Sequence, residues 1–175
     1  MHKTKLALFL LPLASNGGKT AIVKWLIEHG ADLNSTSTIG ITPIHTACIE
    51  NHFDVIKLLV ENNADINKPD IFGKTCLMTS INNIKILRFL LDHGAMVNVK
   101  DEQKKTALQY AIENEKWEAA EILKCYGATP FQRDFNDIFS LEQLFELKTG
   151  CCKTPTSECH GWICSLSTPT HTLLI

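Results

Sequence analysis

The spacing of apolar and polar positions along this chain follows a helical rather than a strand period. Between Phe53 and Glu61 the apolar residues Val55, Ile56, Leu58 and Leu59 fall at the three- and four-residue spacing of one helix face. The same pattern returns at Ile22, Val23, Leu26 and Ile27, at Ile86, Leu87, Phe89, Leu90 and Leu91, and again between Trp117 and Tyr126. Ahead of such a helix lies a shorter one with a small apolar face, as at Ile44, Ala47 and Cys48. Tight turns join the two, Asn16-Gly17-Gly18 in the first pair and Asn51-His52 in the second. Each longer helix is followed by glycine or asparagine, at Gly30, Asn63, Gly94 and Gly127, the residues that tolerate a left-handed helix end. The pattern is periodic. Thr42 and Thr75 are 33 positions apart, the same step back from Thr42 reaches Phe9, and Thr106 follows Thr75 after 31.

A period near 33 residues with a T-P-L-H-x-A opening is the signature of the ankyrin repeat, and Thr42-Pro43-Ile44-His45-Thr46-Ala47 resembles it closely. Threonine can cap the free amides of the first turn, and proline at the first helical position loses no needed donor. The resemblance implies an all-α fold, an ankyrin-repeat solenoid of about four helix-turn-helix repeats. We place the repeat domain at 7–130, with repeats at about 7–39, 40–72, 73–103 and 104–130. Neither helix of a repeat buries its face alone, so neighbours must stack to complete a shared core. In the first repeat this predicts a short first helix over Leu10 to Ser15. A second helix over Thr20 to His29 should then bury Ile22, Val23, Leu26 and Ile27. The third repeat is two residues short after Ser80, which predicts a local distortion. Ser140, Leu141, Leu144 and Phe145 predict a capping helix within 131–147. The Cys-, Ser- and Thr-rich stretch 148–175 has no period and reads as a disordered tail.

The 175 residues, 45% hydrophobic and 21% charged, suit one compact domain. A net charge of −2 gives no basic field for nucleic acid. No apolar run approaches the roughly 20 residues of a membrane span. Cys48, Cys76 and Cys125 fall one to a repeat and read as small buried residues. Corresponding positions on stacked repeats are about 10 Å apart, beyond disulfide reach. A reduced, cytoplasmic or nuclear setting is therefore expected. His2, Lys3 and Lys5 before Leu6–Leu11 also fit the charged and apolar parts of a signal peptide, which is the secretory alternative. No A-x-A cleavage site follows, and Leu10 to Ser15 sits in repeat register.

Motifs for chemistry fail on their context. Gly18-Lys19-Thr20 and Gly73-Lys74-Thr75 resemble the end of a phosphate-binding loop. Leu13 and Lys68 stand where that loop needs its first glycine. Cys151, Cys152, Cys159, His160 and Cys164 lack the paired C-x(2–4)-C spacing of a zinc site. His45 has a structural role in the T-P-x-H motif, and no nucleophile with a placed base emerges. The expectation is no enzyme, no cofactor and no metal.

Binding should fall on the finger loops between repeats and on the solvent side of the first helices. The candidates are Ile39 and Ile41 on the first finger, then Ile71, Phe72 and Lys74 on the second, with Ile49, Glu50, Asn82 and Glu113 from the first helices. Apolar groups on projecting loops suit a protein contact. Beyond generic repeat character, Cys48-Ile49-Glu50-Asn51-His52 is similar to the CFDGH of the feminization (Fem) family of ubiquitin-ligase substrate receptors. Thr75-Cys76-Leu77-Met78-Thr79-Ser80 resembles that family's TCLMIS, and Lys105-Thr106-Ala107-Leu108, with Glu113 in the next turn, its NTALHDCAES. The similarity covers about residues 10–127. It implies capture of a C-terminal degron in the concave groove, recruitment of elongin and cullin subunits, and an acidic role for Glu50 toward a basic degron side chain. The chain departs from the family in lacking the repeats expected before residue 10 and the later elongin-binding box. The alternatives are a generic scaffold or inhibitor with no ligase role, or a truncated fragment of a larger ankyrin protein.

Overall fold

The structure, a computed structural model, describes residues 3–129, with side chains from residue 10 onward. The helix expected in 131–147 and the tail at 148–175 lie outside the described residues. Eight α-helices run through the described part: α1 (Lys3–Asn16), α2 (Thr20–Glu28), α3 (Pro43–Ile49), α4 (Phe53–Glu61), α5 (Cys76–Thr79), α6 (Ile84–Asp92), α7 (Ala107–Glu113) and α8 (Trp117–Cys125). The first helices of successive repeats pack in a row, α1 on α3, α3 on α5 and α5 on α7. The second helices lie behind them, α2 against α4 and α6 against α8. The core between the rows is made by the periodic apolar positions. Val23, Val55, Ile56, Leu59, Ile86, Leu87, Leu90 and Leu123 are fully buried, as are Leu11, Ile44 and Ala47 on the first helices. Each larger aliphatic side chain contributes about 1.5–3 kcal/mol through its burial.

The turn inside each repeat explains its residues. Gly18, Asn51 and Glu115 occupy the same register position and all have positive φ, at 63°, 60° and 56°. At Gly18 a second constraint applies. An added Cβ would lie 2.6 Å from the ring of His52, whose Nε2 is 2.8 Å from the Asn16 carbonyl. The turn of repeat 1 is thus locked to the start of α4 in repeat 2. Repeat 3 lacks the two residues that would form this turn. There α5 has only four residues and passes into a 3-10 turn, Ser80–Asn82, before Asn83 caps α6 by accepting from Ile86 N at 3.3 Å. The expected distortion is a tighter helix. Phe53 on α4 meets Phe89 on α6 edge-on at 5.2 Å, and the Lys85 ammonium lies 3.8 Å over the Phe53 ring.

Thr42, Thr75 and Thr106 begin the first helices in extended backbone conformation and are buried. His45, 1% exposed, ties one such start to the next repeat. Its Nε2 is 3.2 Å from the Lys74 carbonyl and so carries the proton. Nδ1 is left to accept from Thr42 N at 3.3 Å and from the Thr42 hydroxyl at 2.8 Å. Burial holds its pKa below the ordinary histidine value, against the opposing pull of the Lys74 carbonyl and of Asp70 and Asp65. In repeat 3 Met78 replaces this histidine, and the buried Thr75 hydroxyl has no hydrogen-bond partner.

Several expectations need correction. The first helix starts at Lys3 rather than Leu10 and spans 14 residues with Pro12 inside it. Phe9 stands where the other repeats have a capping threonine, so nothing in the sequence stops the helix there. Ile22 is 50% exposed instead of buried, and Leu58 and Ile27 are only half-buried. Cys125 is exposed, because it occupies the outer register position held by Glu28, Glu61 and Asp92. Cys48 and Cys76 are buried, but they are not at corresponding positions. α3 packs on α5, and burial first, then the neighbouring Cys48, pushes the Cys76 thiol well up.

Candidate functional site

The fingers are hairpins closed by backbone bonds, from Ser37 N to Ile41 O at 2.9 Å, Asp70 N to Lys74 O at 2.9 Å and Asp101 N to Lys105 O at 3.0 Å. The first residue of each also ties the hairpin with its side chain. Ser37 Oγ accepts from Ile41 N at 3.2 Å, Asp70 Oδ1 from Phe72 N and Lys74 N at 2.8 Å, and Asp101 Oδ1 from Lys105 N at 2.8 Å. Adjacent fingers touch through Ile71 N to Ile39 O at 3.3 Å and Glu102 N to Phe72 O at 2.9 Å. This close approach explains Gly40 and Gly73, whose φ values are 74° and 76°. A Cβ on Gly40 would sit 2.8 Å from Ile71 N, and one on Gly73 2.9 Å from the Asp101 Cα. Lys104 has the same backbone conformation in the third finger, with φ 60°.

The fingers present the apolar candidates outward. Ile39 is 48% exposed, while Ile71 and Phe72 are each 50% exposed, and the backbone bridge between fingers brings Ile39 beside Ile71. Ile41 is only half-buried, at the base of its hairpin, so it is a weaker surface candidate than expected. Phe72 and Lys74 line a notch of about 240 Å³ with Asp101, Glu102 and Gln103 of the next finger. Lys74 is also half-buried. Its ammonium lies 5.1 Å over the Tyr110 ring, and the Lys105 ammonium lies 5.6 Å over the same ring. The Tyr110 hydroxyl donates to Asp101 Oδ2 at 2.5 Å, and burial together with that carboxylate pushes its pKa up. Glu113 is taken up by an ion pair with Lys105 at 2.7 Å.

On the first helices, Ile49 is 50% exposed and Glu50 and Asn82 are exposed. Glu50 forms the C-terminal cap of α3, where the helix carbonyl ends already make the local field negative. Its carboxylate makes no hydrogen bond or ion pair among the described residues. His45 against Lys74 marks the finger end of α3. Glu50 lies five residues on, about 7.5 Å along the helix axis. Exposed apolar finger residues and an unpaired carboxylate therefore occupy opposite ends of one short helix.

A ladder of asparagines went unrecognised in the sequence. Asn34 Oδ1 accepts from Asp65 N at 2.8 Å, Asn67 Oδ1 from Met96 N at 2.7 Å and Asn98 Oδ1 from Thr129 N at 2.8 Å. Asn67 and Asn98 also donate to the carbonyls of Gly94 and Gly127, at 3.1 and 3.0 Å. The signal was present in the recurring Asp32-Leu33-Asn34, Asp65-Ile66-Asn67 and Met96-Val97-Asn98. These side chains hold the finger bases in register and are not free for a ligand. No group of three or more His, Cys, Asp or Glu among the described residues could hold a metal ion. Nor is any helix among them long and apolar enough to cross a membrane.

The family model for ankyrin repeats (3 copies) matches residues 6–70 and again 66–134. An ankyrin repeat protein of Rickettsia bellii (strain RML369-C) is 43% identical over 42 residues, which are 24% of this chain and 18% of that protein. The chain thus matches less than a fifth of that relative's length. Ankyrin repeats bind protein partners, typically as non-enzymatic modules. With the paired helices, the positive-φ turns and the stacked glycine fingers in place, the chain belongs to the ankyrin-repeat family.

Proposed function

We propose that the chain binds a peptide segment of a partner protein across its finger loops and first helices. Glu50 receives a basic side chain, and Ile49, Ile71 and Phe72 receive apolar ones. The observation that carries this reading is the unpaired carboxylate of Glu50 beside half-exposed Ile49. A charge-assisted bond from arginine to such a group contributes roughly 1.5–3 kcal/mol. Within the same reading, the resemblance to the Fem family supports a degron at the C-terminus of a substrate and recruitment of elongin and cullin subunits, in the cytoplasm or nucleus.

A second reading, a plain scaffold or inhibitor, is favoured by a specific observation. Of the six residues of Thr75–Ser80 that resemble the Fem stretch, all but Thr79 are buried. That similarity therefore reflects packing as much as recognition. Titrating an Arg-ending peptide library against the wild type, Glu50→Ala and Glu50→Lys tests the site. Glu50→Ala should weaken binding about ten- to a hundredfold and Glu50→Lys more. Equal affinities throughout would remove Glu50 from recognition. Affinity capture then separates the two readings, since elongin and cullin subunits must accompany the chain if it is a ligase receptor.

A further inference from the structure

The notch between the second and third fingers, about 240 Å³ in volume, holds two kinds of polar group. Some are already engaged. Both oxygens of the buried Asp101 carboxylate are taken, Oδ1 by Lys105 N at 2.8 Å and Oδ2 by the Tyr110 hydroxyl at 2.5 Å. The Lys105 ammonium beside them is paired with Glu113 at 2.7 Å. Others have nothing to bind. The Lys74 ammonium is half-buried over the Tyr110 ring, and no oxygen among the described residues accepts from it. A ring face attracts a cation but supplies none of the acceptors that an ammonium has in water. The exposed side chains of Glu102 and Gln103 likewise make no hydrogen bond or ion pair among the described residues.

The notch therefore offers donors only from Lys74, acceptors only from Glu102, and an amide that does either from Gln103. A carboxylate entering it would meet Asp101 and Glu102, and a cation would meet Lys74 and Lys105. A neutral group with an acceptor and a donor side by side satisfies both signs at once. A main-chain peptide group has the same two atoms, but its trans geometry points them in opposite directions. A primary amide presents its oxygen and one N–H along a single edge. We infer that this notch takes an Asn or Gln side chain of the partner segment, its carbonyl accepting from the Lys74 ammonium and its NH2 donating to the Glu102 carboxylate. The half-exposed Phe72 ring forms the wall against which the methylenes of that side chain lie. The inference rests on the peptide-binding reading of the fingers and adds the chemistry of a second residue of that peptide. Glu50, at the far end of α3, is not part of the notch.

Selection of a random peptide library on the full chain tests the inference. The expected result is Asn or Gln at one fixed position among the segments that bind the wild type. Replacing that residue by Glu, Lys or Leu in a synthetic copy should weaken binding by about tenfold. Glu102→Gln changes an exposed side chain and leaves the fold as it is. It should turn the preference from Gln toward Glu, because Lys74 then faces no unengaged carboxylate in the notch. Lys74→Met keeps an unbranched stem over the Tyr110 ring and should remove the preference, while a basic residue is still selected. Glu50→Ala should do the reverse, losing the basic residue and keeping the amide, so failure at one site is distinguishable from failure at the other. A wild type that selects no peptide, or none with a fixed amide side chain, would overturn the inference. So would an amide preference that persists unchanged in both Lys74→Met and Glu102→Gln.

Discussion

His45 couples the start of α3 to the second finger through an imidazole that must stay neutral. Protonating Nδ1 would remove the acceptor for Thr42 N and the Thr42 hydroxyl inside a buried site. Burial, the largest influence, holds its folded-state pKa below the 6.5 of an ordinary histidine. Above 6.5 both folded and unfolded chains keep His45 neutral, and its contribution to stability is complete. As the pH falls through 6.5, the unfolded chain takes up a proton before the folded chain does. Stability then declines until the folded-state pKa is passed and levels off below it. His45→Gln is the comparator, because Gln109 already occupies this position in repeat 4, where its backbone N–H donates to Thr106 Oγ1 at 3.3 Å and its side-chain oxygen is buried without a hydrogen-bond partner. Three hydrogen bonds at about 0.5–1.5 kcal/mol each put the cost of His45→Ala at about 1.5–4.5 kcal/mol near neutral pH. Urea unfolding of wild type and His45→Gln from pH 8 to pH 5 reads the pH dependence, and His45→Ala at pH 8 reads the cost of losing the bridge. If the stability difference between the two proteins does not shrink as the pH falls, the neutral imidazole bridge is wrong.

Two further outcomes follow from packing and backbone geometry. Leu59 is fully buried and Leu58 only half-buried, so Leu59→Ala should cost about 2.7–5 kcal/mol and Leu58→Ala clearly less. Thermal melts that rank them the other way would put α4 in the wrong rotation. Gly73→Ala brings a Cβ to 2.9 Å from the Asp101 backbone as well as an unfavourable φ, so it should lower the melting temperature, whereas Lys104→Gly should be neutral or stabilise by up to about 1 kcal/mol. Equal tolerance at both positions would mean that the second and third fingers do not touch.

Features set by local chemistry were legible in the sequence. The helix pairs follow from apolar spacing, the turns from Asn51 and the paired glycines, and the shortened third repeat from a count of residues between Ser80 and Ile84. Features set by a neighbour were not. Ile22 and Val55 are alike in type and register, yet one is half-exposed and the other buried. The difference is whether a helix pair lies in front of them, which no window of sequence reports. Cys125 has the residue type of a core position but the register of Glu28, Glu61 and Asp92. Cys48 and Cys76 come one to a repeat, yet one lies late in α3 and the other at the start of α5, so a spacing for equivalent positions does not apply to them.

The candidate site was harder to read for the same physical reason. Core positions repeat because every repeat must satisfy the same packing, so period alone identifies them. Surface positions carry no such constraint, and one exposed register position holds Asn16, Ile49, Asn82 and Glu113 in turn. Glu113 is an ion-pair partner because Lys105 lies 2.7 Å away, and no Lys or Arg among the described residues pairs with Glu50. A carboxylate identical in type thus has opposite availability in two repeats. Which one a partner can use is decided by the finger that leads into its helix and not by the motif in which it sits.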